Sequence, residues 1–381
     1  MVKQSEEFKS FFQILIFCMT SRNMRSIRGN YRTSNIVIFL TIYLIVYITL
    51  ATYQLIYDLY NPNIKDITKI LTIFMLLGFA QIIVKNLGGI ILHEKFVEIV
   101  DWIQVLNEEV DDNRVVQKIV DDELKRVVKF SMIFLKTVVL MFNIAVVSLI
   151  VSLAWDNSVA CRFPGFEGVP NPNIYILYLI YQEIHTCIAA TWSCFADSSI
   201  VFIGLYMISY VRIINRMIKF MNDDTDISKC PSDLLFRSMK NHIEMIRILG
   251  LFNDAVKIMS FLQIVMSVFM NLILFFGIQM YYTEISLYSL FVCAISQLCL
   301  LCVFGQLIKT QTEEIFWNLY LTNWYDFDSK NKQVLLLMMT ISYREIGLKA
   351  AGMYDVSLMA LVQIMKLSLS YTAIFFTLTD N

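Results

Sequence analysis

Residues 36–57, IVIFLTIYLIVYITLATYQLIY, run for 22 residues without one charged side chain. A helix needs about 20 mostly apolar residues to cross ~30 Å of hydrocarbon, and one that is apolar on every side has no face to offer to water. Six further stretches of this kind follow, at 68–88, 129–155, 174–210, 255–282, 287–308 and 355–378. The sequence therefore predicts an all-α, seven-transmembrane-helix integral membrane protein. The fourth stretch exceeds one crossing, so part of it projects from the bilayer as a helical extension. Pro62, Pro164, Pro170, Pro172 and Pro231 all fall between the spans, where a missing amide donor costs nothing. The apolar segment 8–19, FKSFFQILIFCM, is too short to cross and has no cleavage site after it. An interfacial or re-entrant helix suits it better than a signal peptide.

Composition points the same way. The 381 residues are 57% hydrophobic and 17% charged, against roughly 45–50% and about 25% in soluble domains. With 31 Lys and Arg against 32 Asp and Glu, there is no basic surplus for nucleic acid. Cys299 and Cys302 stand as C-L-L-C inside an apolar run, and the eight cysteines read as small hydrophobes within helices. The three histidines, His93, His185 and His242, are far apart. No Gly-rich nucleotide loop, H-E-x-x-H or G-x-S-x-G is present. The expectation is a non-enzyme without metal or cofactor.

Charge bias orients the chain. Twenty-six of the 31 Lys and Arg lie in the N-terminal tail and the connections after spans two, four and six, and three lie in the other loops. The positive-inside rule then places the N-terminus in the cytosol and, after seven crossings, the C-terminus outside. The inner connections are long. In 89–128, Phe96, Val100, Ile103 and Val110 recur at helical spacing, and 211–254 and 309–350 are also charged and helical in character. Such helices either build an interaction platform or lie on the inner leaflet. The outer loops are short apart from 156–173, where Cys161 is the one clear extracellular thiol.

Ionisable groups inside spans mark functional candidates. Lys136 and Glu183 stand out, the first close enough to an end to snorkel, the second beside Gln182 and His185 where it can meet a ligand, water or a structural partner. Span seven is distinctive. At about 100° per residue, with Lys366 at zero, Thr377 falls near 20°, Ser370 near 40° and Gln363 near 60°. This polar stripe is bordered outward by Ile374 and Leu378. It lines water if several copies converge on an axis, with the apolar residues gating by dewetting; otherwise it packs on neighbouring helices through hydrogen bonds. Aromatic, aliphatic and small residues on other spans suit a pocket for small apolar molecules. These are Leu76, Phe79, Ala80 and Ile83 on span two, Phe142, Val146 and Leu149 on span three, Tyr178, Tyr181 and Cys187 on span four, and Phe291 and Ile295 on span six.

The C-terminal third carries an ordered set of motifs: Phe304-Gly305, Trp324-Tyr325, Tyr354-Asp355-Val356-Ser357-Leu358 and Ile364-Met365-Lys366-Leu367-Ser368-Leu369-Ser370-Tyr371. In this order, with this length and inverted topology, they resemble the insect odorant receptor family. Leu361-Val362-Gln363 departs from the aromatic expected there. The resemblance implies a tuning subunit of an odorant-gated, non-selective cation channel, assembled as a heterotetramer with a shared co-receptor in the plasma membrane of olfactory sensory neurons. It implies a cytosolic N-terminal segment at 1–35 and spans one to six at 36–308, with the odorant pocket among spans two, three, four and six. It further implies a subunit-joining anchor at 309–353 and a pore-lining last helix at 354–381. Ile374 and Leu378 match the hydrophobic gate, with Thr377 between them. The partners implied are the co-receptor, a small volatile ligand and membrane lipid. Two alternatives compete: a G-protein-coupled receptor, which needs an external N-terminus, and a transporter, which needs polar broken helices.

Overall fold

A computed structural model describes residues 35–60, 66–108, 113–155, 172–221, 231–344 and 346–379. Nine α-helices are seen there: α1 (Asn35–Tyr60), α2 (Asp66–Ile91), α3 (His93–Glu108), α4 (Arg114–Trp155), α5 (Pro172–Phe220), α6 (Pro231–Met280), α7 (Ile285–Tyr320), α8 (Ser329–Ser342) and α9 (Leu358–Thr379). A short 3₁₀ turn, Trp324–Asp326, and a hairpin of β1 (Lys349–Ala350) and β2 (Tyr354–Asp355) complete the described chain. The segment 8–19 and Cys161 lie outside the described residues.

Five of these helices, α2 and α4 to α7, are long and apolar enough to cross a membrane. Helices α1 and α9 add shorter apolar stretches at Ile45–Tyr57 and Leu358–Ile374. The seven apolar helices match the seven stretches read from the sequence. Helices α4 to α7 have 42, 49, 50 and 36 residues. At 1.5 Å per residue each is far longer than the ~30 Å of hydrocarbon requires. The charged portions of all four gather at one end of the bundle. The amphipathic stretch after span two is two helices, α3 and the start of α4, rather than one.

Two kinds of surface follow. On α4, Phe130, Ile133, Leu140, Ile144, Val147 and Val151 project outward, a ridge that a soluble protein would have to bury. Lys136 lies exposed on the same outward side, which suits a snorkelling side chain. At the charged end the helices instead pack on each other around Phe96, Ile103, Tyr206, Ile214, Phe252 and Leu319. His242 is buried there, and burial pushes its imidazole down to about 4, so it remains a neutral core residue at neutral pH.

The C-terminal motifs hold the last helix in place. A Cβ at Gly204 of α5 would fall 1.4 Å from the Phe304 ring of α7, so Phe304 occupies the space that glycine leaves. A Cβ at Gly305 would fall 2.2 Å from the Val356 carbonyl oxygen. Gly305 thus lets α7 touch the backbone immediately before α9. The hairpin turns through Ala351 and Gly352, both at positive φ (52° and 76°), and is pinned to α6 by bonds from Ala351 N to Lys257 O and from Lys349 N to Asn253 Oδ1. Val356 is buried, and Ser357 Oγ accepts from Ala360 N as a helix N-cap at 3.3 Å. We expect Gly305→Ala to force backbone apart rather than bend a side chain, at a cost of ~1–3 kcal/mol. A lower melting temperature of the detergent-solubilised protein would register it; an unchanged one would mean that the α7–Val356 contact relaxes freely.

Candidate functional site

Away from the charged end, α2, α4, α5, α6 and α7 diverge around a cavity of about 120 Å³. Its wall is largely apolar, with Phe74, Met75, Gly78, Phe79 and Ile82 from α2, Phe142, Ala145 and Val146 from α4, Met270 from α6, and Leu290, Cys293 and Ala294 from α7. Small residues make the space: Gly78, Ala145 and Ala294 leave room that a longer side chain would fill. Gln81, Ser193 and Gln297 supply its polar groups. An apolar wall with a few convergent polar groups is the form of a small-molecule site.

Of the pocket residues expected from sequence, Phe79, Phe142 and Val146 line this cavity. Leu76 packs instead against the α1–α2 cluster around Tyr47 and Leu55. Phe291 meets Phe275 at 4.6 Å between ring centres. Ile83 points outward, and Ala80, Cys187 and Ile295 are half-buried without lining the cavity. The side chains of Leu149, Tyr178 and Tyr181, and of Gln182, Glu183 and His185, lie outside the described residues. Helix α6, which the sequence reading left out of the pocket, contributes Met270.

One helical turn beyond the cavity, toward the charged end, lies an arrangement that the sequence reading passed over. Lys85 Nζ sits 2.6 Å from Asp197 Oδ1, the two side chains 4% and 16% exposed. Gln297 Nε2 donates to Asp197 Oδ2 at 2.5 Å. Spans two, four and six are thus joined through one carboxylate. The cost of burying both charges is offset by their pairing and by the amide bond. Lys85 falls in the last turn of the 68–88 stretch, where a lysine reads as part of the inner connection. Asp197 was the available signal, being the lone acid between Glu183 and Asp223, and a lone acid in a span demands a partner.

The last helix packs on α6 and α7. Ala360, Ile364, Ser368 and Thr372 are buried, at about 120°, 160°, 200° and 240° on the scale used above. The stripe lies on the opposite side. Gln363, Lys366, Ser370 and Thr377 are exposed, as is Ile374 at 53%. Among the described residues the stripe therefore does not pack on neighbouring helices. Gln363 Oε1 accepts from Tyr354 Oη at 2.8 Å, which ties the hairpin to its lower end. The Leu378 side chain lies outside the described residues.

A family model described as "7tm Odorant receptor" matches residues 66–369. The chain belongs to the insect odorant receptor family. Odorant receptor 33b of Drosophila melanogaster is 20% identical over 253 residues, 64% of this chain and 65% of its own length. Odorant receptor 85c of the same species is 22% identical over 209 residues, 54% and 53% of the two chains. Each match spans less than two thirds of the relative. The fold of this receptor is similar from end to end to the insect olfactory receptor OR5 from Machilis hrabei in complex with eugenol, with 14% identity, 98% of both chains covered and a TM-score of 0.76. The structure described as that receptor alone gives 13% identity, 97% coverage of both chains and the same TM-score. At such identity the likeness is one of fold, and it carries the all-helical, multi-pass architecture of the receptor.

Proposed function

We propose that this receptor is the tuning subunit of an odorant-gated, non-selective cation channel, working as a heterotetramer with a co-receptor subunit in the plasma membrane of olfactory neurons. A small volatile molecule enters the cavity between α2, α4, α5, α6 and α7 and favours an open arrangement over a closed one. The exposed stripe of α9 lines the conduction path, with Ile374 and Leu378 as the apolar constriction and Thr377 between them. The charged end lies in the cytosol, as the distribution of Lys and Arg requires, and its helices join the subunits. Helix α9 carries the reading: its polar stripe faces away from its own bundle while its opposite side is anchored on α6 and α7. A helix surrounded by lipid gains nothing from such a stripe, whereas copies around an axis hydrate it. That the OR5 structure holds eugenol supports a small-molecule ligand for this fold.

The cavity volume sets the ligand scale. An enclosed apolar cavity of 150 Å³ accepts benzene; this one, of about 120 Å³, is partly open, so it suits a molecule of one small ring or a short chain with part of it reaching into the opening. Co-expression with a co-receptor should give a cation current evoked by such a volatile, without added nucleotide. Ala294→Phe should abolish that current at unchanged surface expression, because the ring fills the cavity. A response that survives this substitution with unchanged sensitivity would move the binding site elsewhere.

A further inference from the structure

We propose that Gln297 reads the ligand's polar group, and that this receptor selects small molecules carrying a hydroxyl donor, alcohols and phenols, over carbonyl compounds and hydrocarbons of the same size. The inference rests on the cavity being the odorant site and adds the chemical class of its ligand.

The argument turns on which end of an amide is free. A side-chain amide normally flips, offering either its oxygen or its nitrogen to a ligand. Gln297 is denied that choice. Its Nε2 donates to Asp197 Oδ2, and a carboxylate paired with Lys85 Nζ at 2.6 Å is an acceptor only. Turning the amide would set its oxygen against a carboxylate oxygen. The nitrogen is therefore held on Asp197, and Oε1 is the end left for the cavity that Gln297 lines. Among the described residues this oxygen takes no bond from the protein. The Lys85–Asp197 pair thus acts through Gln297, converting an ambivalent amide into a fixed acceptor.

The other polar groups carry no opposite bias: the Ser193 hydroxyl both donates and accepts, so it serves an alcohol and a carbonyl alike. Gln81 Nε2 spends its one bond among the described residues on the Met270 sulfur at 3.5 Å, a weak acceptor that leaves the amide free to rotate. The Cys293 thiol is directed at the Met141 carbonyl at 3.9 Å. A hydroxyl on the ligand satisfies Gln297 Oε1. A carbonyl oxygen in its place meets another acceptor, and a methyl group leaves the buried oxygen unpaired.

The test uses three probes of nearly one shape: benzyl alcohol, benzaldehyde and ethylbenzene. Half-maximal concentrations for evoked current are measured on the receptor co-expressed with a co-receptor. Benzyl alcohol should be roughly tenfold more potent than either of the others. In Gln297→Met the advantage should fall to near unity through loss of alcohol potency, while ethylbenzene is unchanged or improved. Gln81→Met, which leaves the ion pair intact, should preserve the advantage. Equal potency of the three probes in the unaltered receptor overturns the inference before any variant is made, and so does a preference for benzaldehyde. So does silence to all three when other volatiles evoke current; that result leaves the odorant-gated channel standing. Silence to every volatile tested would instead contradict the channel reading itself.

Discussion

Asp197→Ala is expected to remove most of the receptor from the cell surface. The substitution leaves the Lys85 ammonium, 4% exposed, without a counter-charge in the apolar interior. Removing one member of a buried ion pair costs about 3–5 kcal/mol, a large fraction of the 5–15 kcal/mol that holds a typical fold together. It also strips Gln297 of its acceptor, so the contact joining spans four and six is lost with the one joining spans two and four. Lys85→Met alone should also be damaging, since it leaves the Asp197 carboxyl group in the apolar interior with only the Gln297 amide as a partner. The double variant Lys85→Met/Asp197→Leu should recover much of the surface population, because two apolar side chains of similar bulk carry no unpaired charge. Surface biotinylation of the single and double variants checks this. Additive losses in the double variant would contradict a direct pairing.

Ile374→Ser is expected to raise the current in the absence of odorant several-fold. If Ile374 forms part of an apolar ring around the conduction path, the closed state excludes ions because water withdraws from it. A hydroxyl in each of the contributing copies keeps the ring wet and shifts the resting equilibrium toward conduction. The odorant-evoked increment should shrink in proportion, while the potency ranking of odorants stays the same, since the cavity is a separate place in the fold. Whole-cell recording before and after odorant measures both. A resting current equal to that of the unaltered receptor would remove Ile374 from the gate.

Much of the fold could be read from the chain because lipid imposes a simple rule: apolar runs of about 20 residues become helices, and prolines and charges fall between them. The seven stretches therefore match seven apolar helices. Packing was harder to read. Leu76 and Phe79 lie three residues apart on α2 and both meet the cluster around Tyr47, yet Phe79 also lines the cavity and Leu76 does not, since a helix apolar all round gives no phase to tell its sides apart. Span five looked like a plain membrane segment, and nothing in its sequence announced Met270 as part of the wall. The buried ion pair was missed for the opposite reason. Lys85 sits at the end of an apolar run, where a lysine normally snorkels, and only its pairing across more than 100 residues with Asp197 shows that it is turned inward. Helix α9 was the most legible element. Gln363, Lys366, Ser370 and Thr377 share one side at helical spacing, and the side that packs lies opposite, where Ala360 and Ile364 are joined by Ser368 and Thr372, whose hydroxyls bond back to their own helix.

The most direct test of the account asks whether the α9 stripe meets water that conducts. Ser370→Cys, on the stripe, and Leu369→Cys, one residue away and also exposed, are each co-expressed with a co-receptor and treated with a small, positively charged methanethiosulfonate reagent during odorant application. The account predicts rapid, irreversible loss of current for Ser370→Cys and little change for Leu369→Cys. Equal insensitivity of the two positions while odorant still evokes current would contradict it.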